Sequence, residues 1–240
     1  MKFIGLLFSC LLFFSLPSCA DDAVTFDRML ALASTGDAEA QYHVGMMYNN
    51  GIGTSQDPRQ AFAWFQKSAA SDDPLGAYKL GCYYAGQFAG VVNPDPEQAL
   101  KYKLVAATAG YSLAQHDVAA IYSRRGNFEE AVKWLKLAAE QGLDMSFYGL
   151  YSSYNEGKGV PKDLPLAYTN LKLALRTTEL NVTDSTKTLV DEMAAKMSEA
   201  ELVETQKNID AWKPRPTALT IKAKGGIDEA EEYLRTSTVE

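Results

Sequence analysis

The chain has 240 residues, 47% of them apolar, and a net charge of −7, so it is long enough for one large core or for an extended array of repeats. Its 30 acidic residues outnumber its 23 basic ones, which argues against nucleic acid and against an anionic membrane surface as partners. The only two histidines, His43 and His116, lie far apart in the sequence, which argues against a typical zinc site, and we predict no metal and no other cofactor.

Residues 1–20 are predicted to be an export signal. Lys2 precedes an apolar run over 3–16, which is too short to span a bilayer comfortably, and small residues follow it in "LPSCAD". Two interpretations stay open: cleavage after Ala20, or a loose lipobox that leaves Cys19 as a lipidated first residue. Both predict export to the periplasm, either as a soluble chain or as one anchored by a lipid on Cys19. Cys82 is then the only other thiol, so no internal disulfide is expected.

An amphipathic helix over 24–35 is predicted to end at Gly36, so we expect residues 21–36 to form an N-terminal cap. Residues 37–176 then contain two helical patterns that alternate four times. The first pattern, helix A, has a small residue first, an aliphatic residue fifth and tyrosine ninth. It occurs as "AQYHVGMMY" (40–48), "GAYKLGCYY" (76–84), "AQHDVAAIY" (114–122) and "SFYGLYSSY" (146–154). The second pattern, helix B, begins with alanine. It occurs as "AFAWFQKSA" (61–69), "ALKYKLVAA" (99–107), "AVKWLKLAA" (131–139) and "AYTNLKLAL" (167–175).

The connections between these helices are of two kinds. From the first alanine of a B stretch to the tyrosine that ends the next A stretch, the interval is always 23 residues. From an A helix to the B helix that follows it, the interval varies. Every insertion therefore lies in the A-to-B loop, as expected of a solenoid in which the fixed turn sets the stacking of one hairpin on the next.

Helix start and stop signals agree with this division. The stretches "DPRQ" and "DPEQ" each offer an aspartate N-cap, Asp57 or Asp95, followed by proline and by the glutamine of a capping box. Asn127 is the corresponding N-cap of the third B helix. Gly110 and Gly142 are predicted to end the second and third B helices.

The stretch "AQYHVGMMYNNGIG", the B stretch that follows it and their three echoes resemble the Sel-one-like repeat, a relative of the tetratricopeptide repeat, over residues 37–176. The resemblance implies an all-α fold: a right-handed α-solenoid of antiparallel helix pairs with a concave face lined mainly by A helices. This chain departs from the pattern in its third unit, which lacks the Gly-x-Gly loop. Its fourth unit has Asn170 in place of an aromatic residue and Tyr151 in place of glycine.

Residues 177–240 are predicted to hold C-terminal capping helices and a tail. The stretch 185–197 places Leu189, Met193 and three further apolar residues on one face, and "SEAE" (198–201) is a capping box that opens a second helix ending near Trp212. Residues 213–226 have the composition of a loose linker. The stretch "IDEAEEYL" (227–234) predicts a short terminal helix.

The glycine pairs in "YNNGIG" (48–53) and "YNEGKG" (154–159) are predicted to be turns between helices A and B. A phosphate-binding loop follows a strand and needs a longer glycine pattern with lysine and a hydroxyl, and that context is missing here. The common serine-nucleophile signatures do not occur. Cys82 lies between Gly81 and Tyr83 and is interpreted as a small packing residue. We therefore predict no catalytic residues.

With no catalytic motif in the sequence, the remaining candidate site is a binding surface. The resemblance places the third residue of each A stretch on the concave face, together with residues one and two helical turns further on. Three tyrosines and a histidine, flanked by amides and charges, suit a peptide or protein segment, because rigid aromatic rings give contact area with little loss of entropy. Packing of the same rings between neighbouring hairpins is the alternative. The predicted partner-binding residues are Tyr42, Tyr78, His116, Tyr148, Met46, Asn49, Asn50, Arg124, Asn155 and Glu156.

The favoured hypothesis is a non-enzymatic, exported scaffold that binds a protein partner through its concave face. Exported members of the family that this chain resembles serve as immunity partners of antibacterial phospholipase effectors, so the resemblance implies a secreted effector of that type as one candidate partner. The acidic composition would suit a basic partner. The alternative is a cell-envelope hydrolase or a binder of cell-wall-type compounds, for which the sequence offers no nucleophile with a base.

Overall fold

The computed structural model describes residues 19–178 and 183–237, with side chains from residue 21 onward. Residues 1–18 of the predicted export signal (1–20) and the side chains of Cys19 and Ala20 lie outside the described residues. Within them the chain forms 13 α-helices and no strand. The helices are α1 (Cys19–Ser34), α2 (Ala38–Asn50), α3 (Pro58–Ala70), α4 (Pro74–Tyr84), α5 (Pro96–Thr108), α6 (Ser112–Arg124), α7 (Phe128–Glu140), α8 (Asp144–Glu156), α9 (Leu164–Thr177), α10 (Asp184–Ala194), α11 (Glu199–Ala211), α12 (Ala218–Lys224) and α13 (Gly226–Ser237).

Helices α2 to α9 form four hairpins, each of which joins an A helix (α2, α4, α6 or α8) to a B helix (α3, α5, α7 or α9). Each hairpin packs on the next one in the chain, α1 packs on α2, and α10 and α11 pack on α9. The predicted α-solenoid with helical caps at both ends is confirmed.

One hydrogen bond closes every A-to-B loop, whatever its length. It runs from the backbone N–H of the residue that caps the B helix to the carbonyl oxygen of the tyrosine near the end of the A helix. The four bonds are Asp57 to Tyr48 at 2.9 Å, Asp95 to Tyr84 at 2.9 Å, Asn127 to Tyr122 at 2.9 Å and Asp163 to Tyr154 at 3.0 Å. The ends of each A-to-B loop are therefore held at the same spacing, and loops of different length differ only in the residues between those ends.

The B-to-A turns are uniform. Counting the equivalent turn from α1 to α2, each passes through one residue with left-handed backbone geometry, which is Gly36, Gly110 or Gly142 in three of the turns and Asp72, with φ of 63°, in the other. Gly110 and Gly142 have φ of 96° and 92°, so both are the chain-reversing residues that the sequence predicts, one position after the last αR residue. Aspartate tolerates this geometry better than most side chains because it is short and polar.

The predicted N-caps are confirmed, but only one capping box is complete. Asp57 Oδ1 accepts hydrogen bonds from the backbone N–H groups of Arg59 and Gln60, at 3.0 and 3.1 Å, and Asp95 caps α5 in the same way. The reciprocal bond, in which the backbone N–H of the cap residue donates to the side chain three positions further on, joins Ser198 to Glu201. Among the described residues it is not seen at the aspartate caps, where proline at the first helical position already presets the backbone.

Small residues let neighbouring helices approach closely. A Cβ atom on Gly45 of α2 would lie 2.6 Å from the ring of Phe65 in α3, so only glycine fits there. The fourth A helix has Tyr151 at the aligned position, and its glycine, two residues nearer the N-terminus, serves a different contact, with the B helix of the preceding hairpin. Gly149 leaves room for Leu135 of α7, which a Cβ atom would meet at 2.8 Å.

The Gly-x-Gly loops are turns, as predicted, and each also contacts the helix that precedes its hairpin. Gly51 and Gly157 are left-handed C-caps of α2 and α8. The second glycine of each pair, Gly53 or Gly159, presses on the first turn of the B-type helix before it. Gly53 touches α1 in the way that Gly159 touches α7, so α1 occupies the place of a B helix, as expected for the N-terminal cap.

The C-terminal cap is close to its prediction. Met193 of α10 and Ile209 of α11 are buried in the core of the last hairpins, and the four remaining apolar residues predicted for α10 pack against the same core. Arg176, at the end of α9, donates to the carbonyl oxygen of Trp212 at 2.7 Å. This bond ties the end of α11 to the last repeat.

The prediction of a loose linker over 213–226 is wrong. This segment contains α12, and with α13 it forms a tail (213–237) that follows the B-to-A turns back from the fourth repeat to the first. Arg215 donates its backbone N–H to Glu140 at 2.9 Å, Thr217 bonds Gly110, and Tyr233 bonds Asp37. These three anchors lie at three different B-to-A turns.

The second glycine of the loop gives the first testable prediction. A Cβ atom on Gly159 would lie less than 3.0 Å from the backbone of Phe128, whereas one on Gly126 would meet nothing within 4 Å. Both glycines have positive φ, 75° and 77°, so Gly126→Ala is a control for backbone strain alone, about 1–2 kcal/mol. Gly159→Ala should lower the free energy of unfolding by about 1–3 kcal/mol more, measured by urea unfolding. Equal losses in the two variants would contradict the packing role of the loop.

Candidate protein-binding face

The inner face is the surface formed by the third and seventh residues of the four aligned A stretches, by the two residues that follow each stretch and by their neighbours. The predicted binding residues lie on it in three different environments. Tyr42 and Asn49 are buried, Met46, Tyr78 and His116 are half-buried, and Asn50, Arg124, Tyr148, Asn155 and Glu156 are exposed. The first repeat therefore differs from the other three.

In the first repeat the tail covers the inner face. Tyr42 is only 7% exposed, because it packs in a core to which Leu219 and Ala223 of α12 contribute. A cavity of about 60 Å³ is all that remains between Tyr42, His43 and Met46 on one side and the residues of α12 and α13 on the other. This section of the predicted binding face is occupied by the chain itself.

Asn49 is engaged inside the molecule. Its Oδ1 accepts a hydrogen bond from the hydroxyl of Tyr83 at 3.0 Å, and its amide donates to Asn50 at 2.9 Å. Tyr83 is fully buried between the first two hairpins, where a hydroxyl without a partner would be costly. Asn49 thus satisfies a core residue of the next repeat, and Asn50 alone of the pair is exposed.

A buried polar cluster anchors the middle of the tail. The hydroxyl of Thr220, 1% exposed, donates to Gln141 Oε1 at 2.6 Å and accepts the backbone N–H of Ser112 at 3.0 Å. Ser112 is the first residue of α6, whose own cap residue, Tyr111, forms no side-chain cap. The tail therefore supplies the N-cap that the repeat lacks.

The end of the tail is held by polar contacts at the first B-to-A turn. The hydroxyl of Tyr233 donates to the carboxylate of Asp37, at 2.8 Å to Oδ2, and Lys222 pairs with Glu39. Burial raises the pKa of Glu39, but hydrogen bonds from His43 and Lys222 outweigh burial and leave that pKa below its ordinary value. Burial, with the bond to Asp37, raises the pKa of Tyr233 to about 12.

In the second repeat Tyr78 is part of a contact between hairpins. Its ring meets the ring of Tyr111 edge-on, with centroids 4.9 Å apart, and its hydroxyl donates to Asp117 Oδ2 at 3.3 Å. The same carboxylate oxygen is in close contact with the ammonium group of Lys103, a side chain that is only 8% exposed. Burial raises the pKa of Tyr78 and that of the neighbouring Cys82 thiol.

His116 and Tyr148 lie where the third and fourth repeats meet. The Nδ1 atom of His116 is 3.0 Å from the hydroxyl of Ser146, and burial lowers the pKa of the imidazole despite the opposite effect of Asp117 and Asp144. His116 lines a cavity of about 240 Å³ between α6, α7 and α8. Tyr148 is next in the chain to Gly149, which lines the same cavity, and is 37% exposed.

Two more cavities continue this surface. One of about 410 Å³ is lined by Tyr78, Lys79, Cys82 and Lys103, among others. Another, of about 300 Å³, has aromatic, proline and arginine walls, including Arg124. Ala85 lines both of these cavities, and Ser123 of the cavity beside His116 is the sequence neighbour of Arg124. We call the three cavities together the open groove. It spans repeats two to four, and no described residue of the tail lines it.

The sequence did not point to Lys79, Lys103 and Asp117, which share this surface with the predicted residues, or to Thr220 and Gln141. The lysines follow the aligned positions by one or more residues, and no motif marks them. Thr217 and Thr220, in "PTALT", carry the one available signal: a hydroxyl N-cap three residues before a second hydroxyl. That signal predicts α12 but not its docking site.

The described residues offer little for chemistry. They contain no group of three histidine, cysteine or acidic side chains arranged to hold a metal ion. A reactive thiol needs a lowered pKa, whereas burial raises the pKa of Cys82. No helix in the described part of the chain is long and apolar enough to cross a membrane.

The fold and the inner face together define a class of protein, an α-solenoid of stacked helix hairpins with an inner groove. A family model described as Sel1 repeat matches residues 38–73, 74–111, 112–143 and 145–176. The chain belongs to the Sel1 repeat family. Repeats of this family are generally non-enzymatic and mediate protein–protein interaction.

Similar proteins agree with this family. Sel1-like repeat-containing protein L21 of Acanthamoeba polyphaga mimivirus is 34% identical over 134 residues, which are 55% of this chain and 24% of that protein. DAP3-binding cell death enhancer 1 of Mus musculus is 27% identical over 60% of this chain and 29% of that protein. The chain thus spans about a quarter of the length of these curated relatives. The crystal structure of a Sel1 repeat protein from Oxalobacter formigenes has a TM-score of 0.60 and 23% identity over 66% of each chain, and it shows the fold alone.

The cap that the tail donates to α6 gives the second prediction. Thr220→Val keeps the shape of the side chain but removes the hydroxyl, which leaves the N–H of Ser112 and Gln141 without that partner. The free energy of unfolding should fall by about 1–3 kcal/mol, measured by urea unfolding. The control is Thr236→Val, whose exposed hydroxyl bonds only carbonyl oxygens of its own helix and whose loss should cost less than about 0.5 kcal/mol. Equal effects of the two changes would show that Thr220 does not anchor the tail.

Proposed function

We propose that this chain is a non-enzymatic scaffold that binds a segment of another protein in the open groove. The observation that carries the proposal is that the same face already holds polypeptide in the first repeat, where the tail lies on Tyr42, His43 and Met46. In repeats two to four the aligned positions line cavities that no described part of the chain fills. The face that holds the tail in the first repeat therefore has free space for another segment in repeats two to four.

The composition of the groove supports a protein segment as that occupant. Tyr148 offers an exposed ring beside the cavity of about 240 Å³ that His116 and Phe128 line. Rigid rings beside apolar pockets are typical of residues that dominate protein interfaces. A relative named for binding DAP3 belongs to the same kind of protein, although this name describes that protein and not this chain.

A hydrolase is the other class of function that the sequence left open. It needs a nucleophile with a neighbouring base, and Cys82 is the one described thiol that lines the groove. Its pKa is raised by burial, and among the charged groups that act on it Lys103 and Asp117 already pair with each other, while Lys79 is a cation and not a base. No specific observation favours catalysis, so we assign no catalytic residue.

We further propose that the protein acts after export and that its partner is a secreted antibacterial effector, such as a phospholipase. The support is the signal-like sequence over 1–20, with Cys19 as a candidate lipid anchor, together with the family resemblance. A rigid scaffold with one free groove is suited to covering the active surface of another protein.

Site-specific crosslinking tests the binding face. A photo-reactive amino acid in place of Tyr148 should give a defined covalent adduct with a partner protein in cells that make the chain, because this position lies beside the groove. The control replaces Leu137, an apolar residue of similar exposure on a B helix, whereas Tyr148 lies on an A helix next to Gly149 of the groove lining. The same adducts from both positions, or none from position 148, would argue against the groove as the binding site.

Protection of cells tests the narrower proposal. Cells that receive a phospholipase effector in the periplasm, encoded beside this gene, should survive if they also make the full chain. Cells that make a chain without residues 2–20 should not survive, because that chain stays in the cytoplasm. The comparison is colony count after induction of the effector. A chain that binds its partner but does not protect would disprove the immunity function and leave the binding function intact.

A further inference from the structure

The open groove has a charge opposite to that of the whole chain. Acidic residues outnumber basic ones by 30 to 23 in the sequence, yet no carboxylate lines any of the three groove cavities. Five cationic side chains line them. These are Lys79, Lys103, Arg124, Arg125 and Lys158. The acidic charge therefore lies elsewhere on the surface, and a partner in the groove meets cations.

Three of the five cations are already neutralised. Lys103 pairs with Asp117, Arg125 with Glu97 at 2.8 Å, and Lys158 with Glu156. Two more carboxylates act on groove residues, Asp144 on His116 and Asp95 on Tyr84. Neither lines a cavity, and Asp95 already accepts hydrogen bonds from the first backbone N–H groups of α5. Among the described residues the groove has no carboxylate left over for a further cation.

Lys79 and Arg124 are the two cations without a counter-ion. Neither forms a hydrogen bond or an ion pair with any described residue. Burial lowers the pKa of Lys79, which means that its ammonium group is partly removed from water with no charge to offset the loss. An anion supplied from outside would recover that energy.

The tail shows which kind of segment the inner face accepts. In α13, Ala230 and Leu234 are buried while Asp228, Glu231 and Glu232 are exposed, so the helix on the first repeat is amphipathic, packs through its apolar face and leaves these carboxylates in solvent. The charge that the tail presents to this repeat is that of Lys222, which pairs with Glu39. The residues of the first repeat that align with Lys79 and Arg124 are His43 and Asn50. Both line the cavity beneath α13. The second and third repeats thus carry full positive charges at positions that contact a helix in the first.

We propose that the open groove binds an acidic amphipathic helix of a partner protein, with carboxylates on the side of the helix that meets Lys79 and Arg124. This inference rests on the proposed binding function and adds the chemistry of the partner. It replaces the expectation of a basic partner, which came from the net charge of the whole chain. The charges that line the groove, and not the net charge of the whole chain, act on a bound partner, because screening confines charge interactions to about 8–10 Å at physiological salt.

The test uses three synthetic amphipathic helices that share one apolar face and carry glutamate, glutamine or lysine along its flanks. Binding of each labelled peptide to the purified protein is measured by fluorescence anisotropy. The acidic peptide should bind about tenfold or more tightly than the neutral one, the basic peptide should bind weakest, and added salt should reduce the difference. A neutral or basic peptide that binds as tightly as the acidic one, or an acidic peptide that does not bind, would overturn the proposal.

Charge reversal locates the site. The variant with Lys79→Glu and Arg124→Glu should lose about tenfold or more of its affinity for the acidic peptide. The control with Lys187→Glu and Lys207→Glu makes the same change of net charge on exposed parts of α10 and α11 and should lose little. A milder variant, Lys79→Gln with Arg124→Gln, covers the case in which reversal disturbs folding, and circular dichroism checks each protein. Equal losses in the groove variant and the control would contradict the assigned site.

The outcomes also separate this inference from the function on which it rests. If the neutral peptide binds as well as the acidic one while crosslinking at Tyr148 still captures a partner, the binding function stands and the acidic specificity is wrong. If position 148 captures nothing and the three peptides do not bind, both proposals are wrong.

Discussion

The structure depends on a hydrogen bond that is the same in all four hairpins: the capping residue of each B helix donates its N–H to the tyrosine carbonyl near the end of the A helix. This bond fixes the distance between the two helices before any loop residue is considered. Loop length can then vary without moving the helices, while the B-to-A turn stays constant and sets the stacking of hairpins. Unequal loops and a regular core are compatible for this reason.

The tail adds a second, long-range constraint to this one-dimensional stack. In a simple solenoid each repeat touches only its neighbours, but here Thr220 caps a helix that begins 108 residues earlier and Tyr233 bonds a residue 196 positions away. The fourth and first repeats are therefore coupled through the tail. Opening of the solenoid at either end has to break contacts of the tail, so we infer that the array unfolds more cooperatively than its repeats alone would.

Most of the fold was predictable because its signals are local. Asp57 with Pro58, the left-handed Gly110 and Gly142, and the apolar face of α10 are each decided by residues a few positions apart. The docking of the tail was not predictable in this way, because the partners of Thr217 and Thr220 lie at two distant turns and "KPRP" has the composition of a loop. The inner face was predictable in part. The family resemblance placed Tyr42 and Tyr148 on the same face, but burial of one and exposure of the other depend on where the tail ends.

The two edges of the solenoid therefore have different tasks. The B-to-A edge is fixed by its turns and covered by the tail, so change there is costly to the fold. The A-to-B edge has variable loops and carries Arg124, Asn155 and Glu156 beside the open groove. Residues on this edge can change without disturbing the closing hydrogen bond, which involves only backbone atoms. A scaffold built in this way can alter the charge and shape of its groove, and with them its choice of partner, while the helices that present the groove stay in place.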